Sequence, residues 1–192
     1  MYNFHNHTYR CGHATGKDEE YVLEAIKNGY EVMGFSDHAP YLFPKGHHSG
    51  YRIQLDKAQD YANSIKALKE KYKSVIDIKL GYELEYFPAL WDEEIEYLKG
   101  VEYDYLILGQ HYTDNEFEAF AHYSGHETDS VAVFEDFLSL FAEVAQAQRC
   151  GRLILALLAQ RHDDQNDQRD DIGEHLVKLL DGKIGAGGDE DV

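Results

Sequence analysis

Apolar residues along this chain follow two alternating patterns, short hydrophobic runs and longer stretches with an apolar residue every three or four positions. The short runs are typical of strands and the longer stretches of amphipathic helices. The clearest helical repeat consists of Leu55, Ala58, Ala62, Ile65 and Leu68. The predicted strands cover residues 2–7, 31–36, 75–85, 103–109 and 152–158. The predicted helices cover residues 18–28, 55–72, 92–98 and 131–147.

This alternation of strands and helices favours a parallel sheet or a (β/α) barrel. The length of 192 residues fits a single domain. Aromatic residues are spread unevenly, because every Phe, Tyr and Trp lies at or before Phe141. We therefore predict a well-packed domain over residues 1–141 and a divergent, poorly packed tail over residues 142–192.

The chain is strongly acidic, since 36 Asp and Glu residues against 18 Lys and Arg residues give a formal net charge of −18. Such a surface repels phosphodiester backbones and anionic lipids, so we expect neither a nucleic-acid partner nor a membrane partner. No apolar run approaches the roughly 20 residues of a membrane span, and the first residues lack a signal-peptide core. Cys11 and Cys150 are too few for a disulfide framework, which favours the cytoplasm. The sequence leaves the oligomeric state open.

Polar residues gather where the predicted strands end. The strand period of two would place His5 and His7 on the same side, close enough to share a metal ion. In a (β/α) barrel the C-terminal ends of the strands converge on one face, where active sites form. The candidates that would meet there are His5, His7, His13, His38, Glu83 and His111.

Each candidate also has an interpretation that involves no metal. A His-x-His pair occurs by chance in a chain with eleven histidines, and His38 could be a hydrogen-bonded residue at a helix entry. Glu83 and Glu85 could form a solvated strand edge, although carboxylates on an interior strand are costly unless they are paired or metal-bound. Taken together, the candidates favour a metal site. The histidines assigned to the surface are His47, His48, His122 and His126.

Four motifs carry a family resemblance. They are HNHTYRCGHA at 5–14, GFSDHAPYLFP at 34–44, GYELEYFP at 81–88 and YDYLILGQHY at 103–112. In this order they resemble the motif series of the PHP (polymerase and histidinol phosphatase) family, and most of all its histidinol-phosphate phosphatases. The resemblance implies an α/β fold, a distorted (β/α)7 barrel. It also implies up to three divalent metal ions, Zn, Fe or Mn, at the C-terminal ends of the strands.

The same resemblance implies how the candidate residues share the metals. His5 and His7 would hold the first metal, and Glu83 would bridge it to the second. The remaining ligands would be His111 for the second metal and His13 and His38 for the third. Beyond a metal-bound water, no catalytic group is expected.

The family's reaction is the hydrolysis of L-histidinol phosphate to L-histidinol and phosphate in histidine biosynthesis. The expected partner is therefore a small phosphorylated substrate. Arg52 is the candidate for binding its phosphate, because a guanidinium group can bind phosphate in bidentate fashion. The alternative interpretation of Arg52 is a surface arginine that precedes the helix over 55–72.

The second half of the chain departs from the family pattern. The family has His-Pro after its fifth strand and Asp-x-His after its last, and neither motif occurs here. Seven βα units need about 220 residues, so we expect a barrel that is incomplete at its C-terminus. Each of the three metals would lack one ligand, which predicts impaired activity. The alternatives are a PHP-type phosphoesterase of other specificity and a non-catalytic metal-binding remnant.

Overall fold

The strands of the protein lie parallel to one another and in chain order. The computed structural model describes residues 1–117, together with residues 122–123, 132, 135–136, 139–140 and 153–154. Its sheet runs in the order β1-β2-β3-β4-β5, and every neighbouring pair is parallel. The strands are β1 (Tyr2–Asn3), β2 (Val32–His38), β3 (Asp77–Leu84), β4 (Tyr105–Leu108) and β5 (Leu153–Ile154).

Helices connect the strands of the stretch 1–117, as parallel pairing requires. The α-helices of this stretch are α1 (Asp18–Lys27), α2 (Ala58–Tyr72) and α3 (Trp91–Leu98). Glycine follows α1 at Gly29, where a φ of 75° requires a residue without a Cβ. The alternation of strands and helices predicted from the hydrophobic pattern is thus confirmed for this part of the chain.

One predicted strand is wrong in its extent. Residues 2–7 were expected to form a continuous strand, but β1 ends at Asn3. The Asn3 side chain accepts the backbone N–H of His5 at 2.8 Å, which turns the chain away from the ladder. Asn6 then reaches β2 instead, since its side chain donates to the carbonyl oxygen of Gly34 at 3.0 Å. His5 and His7 therefore lie on a loop.

Other helix and strand boundaries differ slightly from those predicted from the sequence. A 3-10 turn, Leu55–Lys57, precedes α2, and Leu55 is 45% exposed rather than part of the buried helical face. Of the predicted helix over 131–147, residues 132, 135–136 and 139–140 are helical. Of the predicted strand over 152–158, the structure describes residues 153–154, which form β5. The other residues of the predicted helix over 131–147, of this predicted strand and of the predicted tail over 142–192 lie outside the described residues.

The outer face of the sheet packs on the helices and forms the hydrophobic core. Successive strand residues point to opposite faces, so alternate positions of β2 and β3 meet the helices. Tyr61 of α2 is fully buried there, and its hydroxyl donates to the carbonyl oxygen of Gly81 at 2.9 Å. The buried residues of α2 are Ala58, Tyr61, Ala62, Ile65 and Leu68. Among the described residues, no helix is long and apolar enough to cross a membrane.

A tyrosine fills the inner face below the strand ends. The Tyr105 ring occupies the space beside Gly34 and Gly81, where a Cβ on either glycine would collide with it. Its hydroxyl donates to the carbonyl oxygens of Phe4 at 2.7 Å and Phe35 at 3.1 Å. The two glycines therefore let one aromatic side chain from β4 tie together β2 and the segment that follows β1.

We predict that Gly81→Ala destabilises the protein by about 1–3 kcal/mol, because overpacking a close-packed interior costs that much. The new Cβ would lie 2.5 Å from the Tyr105 ring. Gly100→Ala is the control, since its Cβ would meet its nearest neighbour, the Tyr97 carbonyl oxygen, at an ordinary 3.5 Å. Urea denaturation of both variants measures the difference. Equal stability of the two variants would contradict the packing described here.

Glu94 of α3 is a buried carboxyl group that no ion pair or side-chain hydrogen bond among the described residues stabilises. It is 1% exposed, and neither of its carboxylate oxygens has a hydrogen-bond partner in the described part of the chain. Burial raises the pKa of Glu94 to about 8, although the positive charge of Arg52 acts in the opposite direction. The folded protein therefore holds a proton on Glu94 at neutral pH.

The raised pKa of Glu94 predicts a loss of stability as the pH rises from about 4.5 towards 8. In that range the unfolded chain releases the proton from Glu94 while the folded chain keeps it, so rising pH stabilises the unfolded state relative to the folded state. Glu94→Gln should remove this pH dependence, which is worth on the order of 4 kcal/mol near pH 8 because each unit of difference between the folded and unfolded pKa is about 1.4 kcal/mol. The measurement is urea denaturation at several pH values, with Glu93→Gln, at an exposed position of the same helix, as the control.

Candidate metal centre

The loop that carries His5 and His7 is anchored to the end of β2. The Thr8 hydroxyl donates to Asp37 Oδ2 at 2.5 Å, and the Thr8 backbone N–H donates to the other oxygen of the same carboxylate. Asp37 and Thr8 are both fully buried. This contact draws the first loop across the C-terminal end of the sheet.

Arg10 fastens the same loop to two helices. Its Nη1 contacts Asp18 of α1 at 2.8 Å, and its Nε donates to Asp60 of α2 at 2.8 Å. Gly12 closes the 3-10 turn at a φ of 77°, and its N–H donates to the carbonyl oxygen of Tyr9 at 3.1 Å. His13 therefore follows a loop that is held at both ends.

Glu83 lies near the C-terminal end of β3, and His38 of β2 lies directly opposite it in the sheet register. The Glu83 residue is 1% exposed. Gly109 is adjacent, and a Cβ at position 109 would collide with the Glu83 carboxylate. Parallel pairing of three strands thus brings a carboxylate to a buried position beside an imidazole.

Four histidines surround the Glu83 carboxylate. His5 and His7 reach it from the first loop, His38 from β2 and His111 from the segment after β4. The distances to Glu83 Oε2 are 3.0 Å from His5 Nε2, 3.3 Å from His7 Nε2 and 3.4 Å from His38 Nδ1. His111 Nε2 is 3.9 Å from Glu83 Oε1, and the Nε2 atoms of His5 and His7 are 3.0 Å apart.

His13 completes the group that we call the histidine–Glu83 cluster, which consists of His5, His7, His13, His38, Glu83 and His111. The ring centroid of His13 is 5.5 Å from that of His7 and 4.9 Å from that of His38. All six side chains therefore lie together at the C-terminal ends of the strands, where the sequence predicts them. Their role as metal ligands stays a prediction.

The charge states in the cluster suit metal ligation. Burial by itself would raise the pKa of Glu83, but hydrogen bonds from His5 and His7 and electrostatic interactions with His38 and His5 outweigh it and lower that pKa strongly. Burial lowers the pKa of His38 to about 2 and also lowers the pKa values of His13 and His111. The cluster thus combines an ionised carboxylate with neutral imidazoles at His13, His38 and His111, the forms in which these side chains bind metals.

The geometry of the cluster fits a divalent cation. Glu83 Oε1 and His38 Nδ1 are buried, and neither has a hydrogen-bond partner in the described residues. Ligand atoms around a tetrahedral ion, with bonds of about 2.0–2.1 Å, lie about 3.3 Å apart. The distances around Glu83 Oε2 are close to that value. Imidazole and carboxylate ligands suit Zn, Fe or Mn.

Among the described residues, three groups of potential ligand atoms are compact enough to hold an ion, and two of them share Glu83. The two that share Glu83 are His5, His7 and Glu83, and His38, Glu83 and His111; the third is His7, Cys11 and His13. The family resemblance pairs His38 with His13 instead, and the 4.9 Å between their rings is compatible with that pairing. Glu83 would bridge two ions in either arrangement.

Cys11 lies beside the cluster, and sequence reasoning did not include it. Its Sγ is 3.5 Å from His7 Nδ1 and 3.4 Å from the Thr8 carbonyl oxygen. Burial raises the pKa of the Cys11 thiol to about 12, so it stays protonated. Its Sγ nevertheless lies with ligand atoms of His7 and His13 in a group compact enough to hold an ion, and a metal bound there would have to displace the thiol proton.

Arg52 is buried, so its interpretation as a surface arginine is wrong. The residue is 2% exposed. Its Nε donates to Glu116 Oε2 at 2.8 Å, and its Nη2 donates to Glu85. The rings of Tyr41 and Tyr51 each lie 5.0 Å from the guanidinium carbon. Two carboxylates and two aromatic rings together compensate for the burial of this charge.

The sequence missed the carboxylates around Arg52. Glu85 and Glu83 were candidates for a solvated strand edge, and that alternative is wrong, because they are 0% and 1% exposed. Their spacing of two already placed them on one face of a strand. Nothing in the sequence pointed to Glu116, which reaches Arg52 from 64 residues away.

The histidines assigned to the surface differ in their environments. His48 and His122 are exposed, as predicted. The prediction for His47 is wrong, since it is half-buried and its Nε2 lies 3.2 Å from Glu116 Oε1. Its ring also packs edge-on against Phe43, at 5.1 Å between centroids. His126 lies outside the described residues.

Comparison with protein families agrees with this geometry. Residues 3–184 match the family model described as the PHP domain. The chain belongs to the PHP family. A Deinococcus radiodurans protein named "Probable histidinol-phosphatase" is 30% identical over 149 residues, covering 74% of this chain and 55% of that protein. The Bacillus subtilis "Histidinol-phosphatase" is 30% identical over 115 residues, covering 56% and 42%. This PHP chain therefore spans about half the length of the relatives it matches.

A solved structure shows the same fold. It is the histidinol phosphate phosphatase of Lactococcus lactis, complexed with Zn, L-histidinol and phosphate. The TM-score is 0.63 at 19% identity, and the match covers 81% of this PHP chain and 56% of the other. The prediction of an α/β, PHP-type barrel, of which this chain holds a part, is confirmed. Its parallel, curled sheet corresponds to about half of that barrel.

We predict that the His38 ring stays neutral down to about pH 4 in the metal-free protein. Its pKa is lowered to about 2 because protonation would place a charge in a buried site. The unfolded chain takes up this proton below about pH 6.5, so His38 makes the folded state less stable as the pH falls below that value. NMR titration of the imidazole nitrogens, with the exposed His48 as reference, provides the measurement. Protonation of His38 near pH 6 would contradict the burial seen here.

Proposed function

We propose that this PHP protein is a metal-dependent phosphomonoesterase whose substrate is L-histidinol phosphate and whose products are L-histidinol and phosphate. The observation that carries the proposal is the buried Glu83 carboxylate, which four imidazoles contact at the C-terminal ends of parallel strands. Such a concentration of ligand atoms around one carboxylate is typical of a centre with more than one metal ion.

Different residues of the cluster would bind different metal ions. His5, His7 and Glu83 would hold one ion, and Glu83 with His111 would hold a second. His13 and His38 would bind a third, as in the family scheme. Zn, Fe and Mn all suit these ligands. A Zn complex in the Lactococcus lactis relative supports this assignment.

Hydrolysis of a phosphomonoester needs a strong nucleophile and neutralisation of the phosphoryl charge. Divalent ions bound at the cluster would supply both, by lowering the pKa of a bound water and by binding phosphoryl oxygens. Glu83 contributes by staying ionised, and His13, His38 and His111 by staying neutral. Tyr51 covers one side of the centre, because its ring packs edge-on against His38 at 5.5 Å and His13 at 5.8 Å between ring centroids.

Arg52 is our proposed phosphate-binding residue. Two of its three nitrogens already donate to Glu85 and Glu116. Its Nη1 is buried and has no hydrogen-bond partner in the described residues, so this is the group left for a phosphate oxygen. With only the Nη1 amino group free, Arg52 is a weaker phosphate ligand than an unpaired arginine would be.

The substrate and location complete the proposal. A small phosphorylated substrate fits the relatives' names and the bound L-histidinol and phosphate in the Lactococcus lactis structure. The cytoplasm is the proposed location, since Cys11 is a free, buried thiol. The acidic surface argues against a nucleic-acid partner.

We expect slow turnover. The family's His-Pro and Asp-x-His motifs do not occur in this sequence, so each metal would lack one ligand. Loss of even an indirect partner of a metal typically reduces affinity or activity about 10- to 100-fold. A turnover well below the roughly 10 per second typical of enzymes is therefore the expected result.

The test is phosphate release by the purified chain with added Zn²⁺, Mn²⁺ or Fe²⁺. L-Histidinol phosphate and p-nitrophenyl phosphate are compared, together with the metal content of the protein. His7→Ala should abolish turnover because it removes a cluster ligand. His48→Ala is the matched control, since this exposed histidine lies outside the cluster and should leave the rate unchanged.

The outcomes separate the possible functions. Faster hydrolysis of L-histidinol phosphate than of p-nitrophenyl phosphate supports the proposal. Equal rates indicate a PHP phosphoesterase of other specificity. Bound metal without any turnover indicates a non-catalytic remnant, and a chain that binds no metal at all overturns the proposal.

A further inference from the structure

Glu85 is a buried carboxylate that contacts the histidine–Glu83 cluster from behind. It follows the end of β3, two residues after Glu83, and is 0% exposed. Its Oε1 accepts the backbone N–H of His111 and lies 3.2 Å from the ring Nδ1 of the same residue. The other ring nitrogen of His111, Nε2, faces Glu83 at 3.9 Å. His111 therefore stands between two carboxylates, one at each ring nitrogen.

Glu85 is itself held from two sides. Arg52 Nη2 donates to its second carboxylate oxygen, and the Tyr41 hydroxyl donates to its backbone carbonyl oxygen. Arg52 is held in turn by Glu116 at 2.8 Å. Every contact of the Glu85 carboxylate is thus with a group that is fixed elsewhere in the fold.

We propose that Glu85 is a positioning residue for the metal centre, acting through His111. A negative charge beside Nδ1 favours the neutral tautomer that carries its proton on Nδ1, which leaves the Nε2 lone pair free on the side of Glu83. Metal-binding histidines commonly have such a carboxylate at their other nitrogen. The bond from the His111 backbone N–H to the same carboxylate also fixes the position of residue 111, which follows the end of β4 at Leu108.

This inference rests on the proposed metal-dependent function. It also gives Arg52 a second role beside phosphate binding. By neutralising Glu85, Arg52 allows a carboxylate to remain ionised where it is fully buried. Loss of the Glu85 charge should therefore affect the metal that His111 binds and leave the metal at His5 and His7 nearly unchanged. A residue that merely supported the fold would weaken both equally.

The experiment follows the imidazole nitrogens of His111 and His5 by NMR while Zn²⁺ is added to the metal-free full chain. In the wild-type protein, His111 should show the tautomer protonated at Nδ1 before metal is added. In Glu85→Gln, the Zn²⁺ concentration at the midpoint of the His111 response should rise about 10- to 100-fold. The midpoint for His5 should change by less than about threefold. Glu85→Asp, which keeps the charge, should recover part of the loss.

Glu70→Gln is the matched control, since Glu70 is exposed and contacts Lys73 on the surface. Equal midpoints for His111 in the wild type and Glu85→Gln would overturn the inference, as would equal weakening at both histidines. If Glu85→Gln does not fold, the tautomer of His111 in the metal-free wild type is the test. A His111 ring protonated at Nε2 would overturn the inference. A wild-type chain in which neither histidine responds to Zn²⁺ would instead overturn the proposed function, so the two failures can be told apart.

Discussion

Burial of the Glu83 carboxylate is the constraint on which this structure depends. A carboxylate that is 1% exposed costs several kcal/mol unless charges or hydrogen bonds compensate for it. Compensation here comes from imidazoles on three separate elements, the first loop, β2 and the segment after β4. The absence of a side chain at Gly109 leaves the space that the carboxylate occupies. The position of Glu83 thus dictates where the first loop and the ends of three strands must lie.

The inner face below Glu83 is built to support that arrangement. Tyr105 fills the space that Gly34 and Gly81 leave open, and its hydroxyl binds the carbonyl oxygens of Phe4 and Phe35. The segment leading to His5 is therefore held in place by a side chain from β4. An apolar ring closes the interior beneath the polar cluster, so the cluster lies at one end of the sheet and not within its core.

A second charged group lies beside the cluster and links the loops around it. Arg52 comes from the loop after β2, Glu85 from the end of β3, and Glu116 from the segment after β4. Because all three are buried, breaking one contact would leave an uncompensated charge in the interior. The loops at this end of the sheet are therefore coupled to each other by charge and to the metal centre through His111.

By itself, the sequence determined the alternation of strands and helices, the family, and the six residues of the histidine–Glu83 cluster. Local periodicity and strand-end motifs carry that information, because backbone pairing and helix packing follow directly from them. It placed His5 and His7 together on a strand that in fact ends at Asn3, before either histidine; a loop anchored by Thr8 and Asp37 brings them together instead. Only the tertiary structure decided that Arg52 and Glu85 are buried partners. The burial of a long charged side chain depends on partners distant in sequence, such as Glu116, and no local pattern records them.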